Sequence, residues 1–220
     1  MDLSNRLLKI ASKIPKCHRI ADIGTDHAYI PVYSIKHGIC EKAIASDIGS
    51  GPLKIAKKNV SLHGYEKEIE LRLGSGIETI RPSEADVIII AGMGGSTIID
   101  LLTKCPEIST KSKLILQPMN DIEKVREYLY SSGFIIYDED LVIDERKIYV
   151  IICALWTGEK KTCNKEDYYI NLTCLEGNPL FEQYIKKQAA RSKNILKGLK
   201  LAEIKDVENI RFQEHLLNLF

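Results

Sequence analysis

At 220 residues the chain can hold one full α/β domain with a small addition, or one large domain. A 45% apolar and 28% charged composition is that of an ordinary soluble globular protein, and no run approaches membrane-spanning length. The net charge of +1 says little by itself. Six cysteines, at 17, 40, 105, 153, 163 and 174, form no Cys-x-x-Cys pair. They read as reduced thiols of a cytosolic protein, with neither disulfides nor zinc.

The first residues, from Leu3 to Ala11, repeat at helical spacing and carry charge, which predicts an amphipathic helix rather than a secretory segment. Pro15 breaks it, and Arg19–Gly24 reads as a buried strand. A helix fits Tyr29–His37. The second strand, Lys42–Asp47, is followed by Gly49-Ser-Gly51-Pro52, which opens a helix running to about His63-Gly64. Glu68–Leu73 alternates with period two, as a third strand does. The apolar run Asp86–Ala91 and the run Lys113–Gln117 read as strands buried on both faces of a parallel sheet, with a helix at about Ser96–Cys105 between them. Asp121 is placed to cap a helix ending at Ser132-Gly133. Strands near Phe134–Tyr137 with Leu141–Ile143, and at Lys147–Leu155, are joined too closely for a crossover, so they form a hairpin.

This order predicts an α/β sheet with an antiparallel terminal hairpin, over residues 1–157. Residues 158–220 differ in kind. A polar stretch contains Tyr168-Tyr169. A helix fits Pro179–Leu201, with Leu180, Tyr184, Ile185, Ile195, Leu196 and Leu199 as its apolar positions. A second fits about Glu203 to Leu219, with Ile204, Val207, Ile210 and Leu217. Together they predict a small helical hairpin, coiled-coil-like. Lys186, Lys187, Arg191, Lys193, Lys197 and Lys200 follow one another with no acid between Gln183 and Lys200. This stripe reads as a track for a phosphate backbone or as a solvated helix face.

Asp22-Ile-Gly24 at the first strand end, with Asp47 closing the second strand 23 residues after Gly24, is the layout of a nucleoside-binding βαβ unit. The glycine admits a ligand close to the backbone, and the second carboxylate meets ribose hydroxyls. The turn reads Gly24-Thr25-Asp26-His27-Ala28-Tyr29, with one glycine and not the three of a dinucleotide fingerprint. A carboxylate there repels a pyrophosphate but favours a cation such as S-adenosylmethionine. The turn is therefore that of a methyltransferase rather than a dehydrogenase.

Five segments resemble one family: Leu3-Ser-x-Arg6-Leu7, Ala21-Asp22-Ile23-Gly24-Thr25-Asp26-His27-Ala28-Tyr29-Ile30-Pro31, Gly51-Pro52, Ile90-Ala91-Gly92-Met93-Gly94-Gly95 and Leu114-Ile115-Leu116-Gln117-Pro118. With the helical tail they are similar to the bacterial tRNA (adenine-22-N1)-methyltransferases along essentially the whole chain. The resemblance implies a Rossmann-like class I methyltransferase domain, S-adenosylmethionine as methyl donor, and a coiled-coil-like domain that helps hold tRNA. It implies catalytic roles for Asp26, Tyr29 and Asn120. It implies cofactor contacts from Asp22, Gly24, Thr25, His27, Asp47, Ile48, Gly74, Ser75, Gly76, Gly92 and Met93. Substrate contacts fall to Gly94, Gly95, Gln117 and Pro118, and to Lys186, Lys187, Arg191, Lys193 and Lys197 in the tail. No metal is implied, and the chain is expected as a cytoplasmic monomer or weak homodimer. Three positions depart from the family pattern: Ser75 stands where the family usually has an acid beside the cofactor adenine, Asp47 where it often has Glu, and Asn120 one residue later than usual.

Adenine N1 has a free lone pair at neutral pH, so the chemistry needed is alignment, water exclusion and a carboxylate near the cationic product. Asp26 is the candidate carboxylate, with Tyr29 beside the base. N1 lies on the Watson–Crick edge, so the acceptor is an unpaired or flipped adenine. Other readings stand beside these. Asp26 also fits a cap for the helix beginning near Ala28, and Asn120 a cap for the helix after it. Asp22 also fits a strand-end turn and His27 a packed turn histidine. Gly92–Ser96 also fits a plain tight turn, and Tyr168 and Tyr169 fit packing rather than base stacking. For the whole chain, the rivals are a methyltransferase acting on a small molecule or protein, and an RNA-binding module with a relic nucleoside pocket.

Overall fold

The computed structural model describes residues 3–202, 204 and 206–220. They fall into two compact units, one extending to Cys163 and one from Asn164 to Phe220.

The first unit is built on seven strands, in chain order β1 (Cys17–Ile23), β2 (Cys40–Asp47), β3 (Ile69–Leu73), β4 (Val87–Met93), β5 (Lys113–Pro118), β6 (Phe134–Asp144) and β7 (Lys147–Trp156). Its helices are α1 (Asn5–Ser12), α2 (Tyr29–Lys36), α3 (Ser50–His63), α4 (Gly95–Lys104), the single turn α5 (Pro106–Ser109) and α6 (Ile122–Ser131). The sheet order is β3-β2-β1-β4-β5-β7-β6. Strands β1 to β5 are parallel, and β7 runs antiparallel to both β5 and β6. The predicted hairpin is present, but it folds back so that its second strand lies inside the sheet and β6 forms the edge. The apolar runs Val87–Ile90 and Leu114–Leu116 are fully buried, as strands covered on both faces must be.

The last strand pair is longer than expected. Phe134–Asp144 is one strand with a register shift between Ile136 and Asp138, so Tyr137 drops out of the ladder. The acids that interrupt its apolar pattern have partners on α1. Lys13 reaches Asp138 at 2.8 Å and Asp140 at 2.9 Å, and Lys9 reaches Asp140 at 3.1 Å. Burial opposes ionisation of Asp140, but the Lys13 and Lys9 ammonium groups outweigh it and hold its carboxyl down at about 2. On the other side of β6, the wholly buried Arg126 of α6 pairs with the buried Glu139. A second correction concerns Asp121. It occupies the N-cap position of α6 but in the left-handed region, with no side-chain capping bond. Its carboxylate instead meets Lys124 at 3.2 Å.

The second unit contains α7 (Lys165–Ile170), α8 (Leu172–Leu175), α9 (Phe181–Leu201) and α10 (Val207–Leu219). Helices α9 and α10 pair, as the predicted hairpin requires. Its buried surface adds polar residues to the expected apolar stripe, whose α9 positions are buried or half-buried. On α9 the buried residues are Tyr184, Gln188 and Ser192, and on α10 they are Gln213 and Leu216. Ile204 and Val207 are exposed, and Glu203, taken as the start of the second helix, lies outside the described residues. Tyr169 packs edge-on against Phe212 of the same unit at 5.4 Å, and Tyr168 is buried.

Candidate active site

The strand order reverses direction at β1, whose neighbours are β2 on one side and β4 on the other. Ligands of open parallel sheets bind in the crevice that such a reversal leaves beyond the carboxyl ends of the strands. A cleft of about 350 Å³ lies there, lined in part by Arg6, Asp22, Gly24, Thr25, Asp26, His27, Tyr29 and Gly92.

The turn leaving β1 is sharply bent. Gly24, Asp26 and Ala28 all take left-handed backbone angles, with φ of 73°, 52° and 56°. Only the first is a glycine, so the turn stores strain at Asp26 and Ala28, as turns at ligand sites often do. Hydrogen bonds hold it there. Gly24 and Thr25 both donate their N–H to the Ser46 carbonyl, at 2.8 and 2.9 Å, and Ala28 donates to Thr25 O at 3.0 Å. The Asp26 N–H faces Asp47 Oδ2 at 3.4 Å. These four donors are engaged inside the protein, which leaves the turn fewer N–H groups to offer a pyrophosphate. That adds to its charge in disfavouring a dinucleotide.

What the turn presents is carboxylate. Asp22 is buried at the end of β1 and accepts the Thr25 hydroxyl at 2.6 Å. Burial pushes its carboxyl up to about 6, the Thr25 bond working against the shift and the charge of Asp47 adding to it. Asp47 accepts the Gly49 N–H at 2.7 Å, which fixes its side chain at the end of β2. Asp26 projects outward, and its carboxylate lies 3.2 Å from His27 Nε2. It does not cap α2, whose N-cap is Ala28 with no side-chain bond. The His27 ring stacks at a tilt 5.1 Å from Tyr29, and the Asn59 amide donates to the His27 carbonyl at 2.9 Å, tying the turn to α3.

The same cleft carries a positive charge. Arg6 of α1 donates from Nη1 to Gln117 Oε1 at 2.7 Å and lies 5.6 Å from the Tyr149 ring centroid. Gln117 is completely buried, and its amide also donates to Pro118 O at 2.9 Å, so it orients Arg6 from behind. Pro118 is buried as well. Gly92 sits at the bulge between Ala91 and Met93, exposed to the cleft. The Met93 methyl lies over Gly24, where a Cβ would approach it to 2.3 Å.

Asn120 does something the sequence did not suggest. Its Oδ1 accepts the Gly95 N–H at 3.0 Å and so caps the helix before it, α4, rather than α6. Gly95 is buried against this segment, and a Cβ there would come within 2.7 Å of Asn120 O and 2.8 Å of Asp121 O. Its lack of a side chain serves helix packing. Gly94, the N-cap of α4, lies beside the Asn120 amide.

Gly74, Ser75 and Gly76 follow β3 directly beside Asp47, whose carbonyl accepts the Gly74 N–H at 3.0 Å. Ser75 is exposed and its hydroxyl donates to Glu78 Oε1. Ile48, next to Asp47, is 75% exposed. The structure thus gathers Asp22, Gly24, Thr25, Asp26, His27, Tyr29 and Gly92 in one cleft, sets Asp47 and Ile48 on its β2 side, and buries Gln117, Pro118 and Gly95. Arg6 is a charged cleft residue to which sequence reasoning gave no role. On an amphipathic helix it looks like part of the solvated face, and only its place in the Leu3-Ser-x-Arg6-Leu7 segment singled it out.

In the second unit, Lys186, Lys187, Lys193 and Lys197 are exposed on α9, while Arg191 is half-buried. At 3.6 residues per turn, Lys186, Lys193 and Lys197 lie within about 40° of one another around the helix, and Lys187 and Arg191 lie roughly 80° or more away. The stripe is therefore two rows. Lys200 pairs with Glu214 of α10 at 2.6 Å.

Strand order and an acidic crevice at the sheet reversal define a Rossmann-like methyltransferase domain, and residues 3–152 match the family described as methyltransferase domain. The tRNA (adenine(22)-N(1))-methyltransferase of Bacillus subtilis is 39% identical over 155 residues, 70% of this chain and 65% of that protein. The crystal structure of the Bacillus subtilis tRNA methyltransferase TrmK superposes with a TM-score of 0.87 at 30% identity, covering 99% of this chain and 97% of the other. Streptococcus pneumoniae Sp1610 in complex with S-adenosyl-L-methionine gives 0.85 at 30% identity, covering 98% and 100%. The chain belongs to the tRNA (adenine-22-N1)-methyltransferase family. Its matches to three curated relatives span 60% to 65% of their lengths.

Proposed function

We propose that this protein transfers the methyl group of S-adenosylmethionine to N1 of an unpaired adenine in tRNA, at position 22 as in the named relatives. The observation that carries the reading is the charge pattern of the cleft. Asp22, Asp26 and Asp47 surround a turn four of whose N–H groups are engaged within the protein, and Arg6 lines the same cleft. That arrangement suits a ligand with a sulfonium, an ammonium and a carboxylate, and disfavours one with phosphates. S-adenosylmethionine has those three groups, and its ribose hydroxyls suit Asp47. The bound cofactor supplies an electrophilic methyl group. The protein has to hold the acceptor N1 in line with it, keep water out and offset the positive charge of the product. Asp26, exposed at the cleft mouth beside Tyr29, is the carboxylate placed to do the last of these.

The acceptor is a folded RNA read partly by the second unit, whose Lys186, Lys193 and Lys197 row offers a sequence-independent phosphate contact. The protein acts in the cytoplasm, as a monomer or weak dimer. Incubation with labelled S-adenosylmethionine and unmodified tRNA transcripts tests the reading. Label enters transcripts that carry the target adenine and is absent from those in which it is replaced. Label on a protein or small molecule alone overturns the choice of acceptor.

A further inference from the structure

A second concavity lies at the other end of the sheet. Its volume is about 520 Å³, and it opens at the amino ends of β1, β4 and β5, where Cys17, Val87 and Lys113 begin their strands. Strand β1 is seven residues long, so about 20 Å of chain separates this end from the turn at Gly24. The concavity and the cleft share no lining residue. Asp86 fixes its floor. Asp86 Oδ2 accepts the His18 N–H at 2.9 Å and the Arg19 N–H at 2.8 Å, and the Lys113 N–H bonds the Asp86 carbonyl at 2.9 Å. The acid is thus engaged by the backbone. Around it stand three exposed lysines from two separate segments, Lys16, Lys111 and Lys113. None of the three forms an ion pair among the described residues. Burial pushes the Cys17 thiol up to about 11, Asp86 adds to the rise, and the nearby Lys113 ammonium opposes it. The same concavity is lined by Trp156, the single tryptophan of the chain. Its ring is 44% exposed yet held in place. The indole N–H donates to Ser132 O at 3.2 Å, and a Cβ on Gly158 would meet the ring at 3.4 Å.

We propose that this concavity binds an unpaired nucleotide, with the base on the Trp156 ring and the phosphate among Lys16, Lys111 and Lys113. The fold needs neither an exposed indole nor three like charges gathered beside it, and like charges repel. An indole whose N–H is already bonded offers a ligand its apolar surface. Ammonium groups with no carboxylate partner offer point charges to a phosphate. A flat ring joined to an anion matches both, and aromatic platforms beside cations are how single-stranded nucleic acid is held. The volume falls within the roughly 300–1,000 Å³ of small-molecule sites. Stacking accepts every base, so the site selects for the phosphate and for an unpaired ring rather than for sequence. A free mononucleotide and an unpaired nucleotide of an RNA present this same chemistry. The inference stands apart from the reading of the cleft, since it uses none of the residues there.

The single tryptophan reports on its own site. The full chain is titrated with AMP while Trp156 emission is followed, with S-adenosylhomocysteine present to fill the cleft. AMP quenches the emission saturably. Adenosine does so with roughly tenfold weaker affinity, and inorganic phosphate displaces AMP. In Lys111→Gln/Lys113→Gln the affinity for AMP falls roughly tenfold, while the melting temperature and the binding of S-adenosylhomocysteine stay unchanged. A tRNA transcript that quenches the emission and is displaced by AMP identifies RNA as the source of the nucleotide. Quenching by AMP and not by the transcript identifies the free nucleotide. The absence of saturable quenching by either overturns the proposal, and so does AMP binding that the double substitution leaves unchanged. Neither result bears on methyl transfer, which the labelled-tRNA assay reads separately.

Discussion

Arg6 and Gln117 stand 111 residues apart and meet through a 2.7 Å hydrogen bond that joins the N-terminal helix to the end of a central strand. Gln117 is completely buried and so cannot swing away, and Tyr149 lies against the guanidinium. On its outer side α1 is held to β6 by Lys9 and Lys13 through Asp138 and Asp140. The arginine is thus a fixed cation lining the same cleft as Asp22 and Asp26. Replacing it with lysine keeps the charge but loses the planar fork. Arg6→Lys and Arg6→Ala are expected to lower kcat/KM by roughly a hundredfold, the usual cost of a misplaced ligand. Steady-state kinetics checks this, with a melting curve to show that the fold persists.

Asp22 gives a prediction in which stability and function part. Its folded-state carboxyl is raised to about 6, against roughly 3.9 when unfolded. A raised pKa favours the protonated folded form. Its contribution to stability is present below about pH 4 and is lost as pH rises through 6. Above that, the ionised group is a cost of burial. Asp22→Asn should therefore raise the melting temperature of the ligand-free protein at pH 8, with a smaller gain at pH 4. The same substitution should weaken S-adenosylmethionine binding, and in the parent the affinity should fall as pH drops below 6. Calorimetry across pH, with and without cofactor, separates the two effects.

Arg126 and Glu139 form a pair in which both side chains are fully buried between α6 and β6. Removing one member strands the other charge away from water. Arg126→Ala is expected to cost about 3–5 kcal/mol, while Arg126→Met with Glu139→Leu should recover most of that loss. Urea denaturation of the two variants checks the contrast.

The lysine row on α9 tests the role of the second unit. Lys186, Lys193 and Lys197 changed together to glutamine should weaken tRNA binding at all sequences alike. The slope of log affinity against log salt should become shallower by roughly one per lysine. Turnover at saturating tRNA should stay close to that of the parent. Filter binding at several salt concentrations measures the slope.

Much of this was legible because strand ends announce themselves. Asp22-x-Gly24 and Asp47 follow apolar runs, so the sequence alone places them at the carboxyl edge. What escaped depends on contacts between distant segments. Asn120 looked like a catalytic residue or a cap for the helix after it, and its side chain accepts the N–H of Gly95, 25 residues earlier. Gln117 looked like a substrate contact and is buried behind Arg6. The break read at Tyr137 is a bulge in a continuous strand, kept there by lysines from α1 that no local pattern reveals. In the tail, the apolar positions read on α9 are buried or half-buried, as are Ile210 and Leu217 on α10, but Gln188, Ser192 and Gln213 share the buried face and Ile204 and Val207 are exposed.

The measurement closest to the central claim is nucleoside analysis of tRNA after reaction with methyl-labelled S-adenosylmethionine. The account predicts that the label elutes as 1-methyladenosine, and that Asp47→Ala, which removes the proposed ribose contact, reduces it strongly. Label recovered in any other nucleoside, or none in tRNA while the protein binds S-adenosylmethionine, would contradict it.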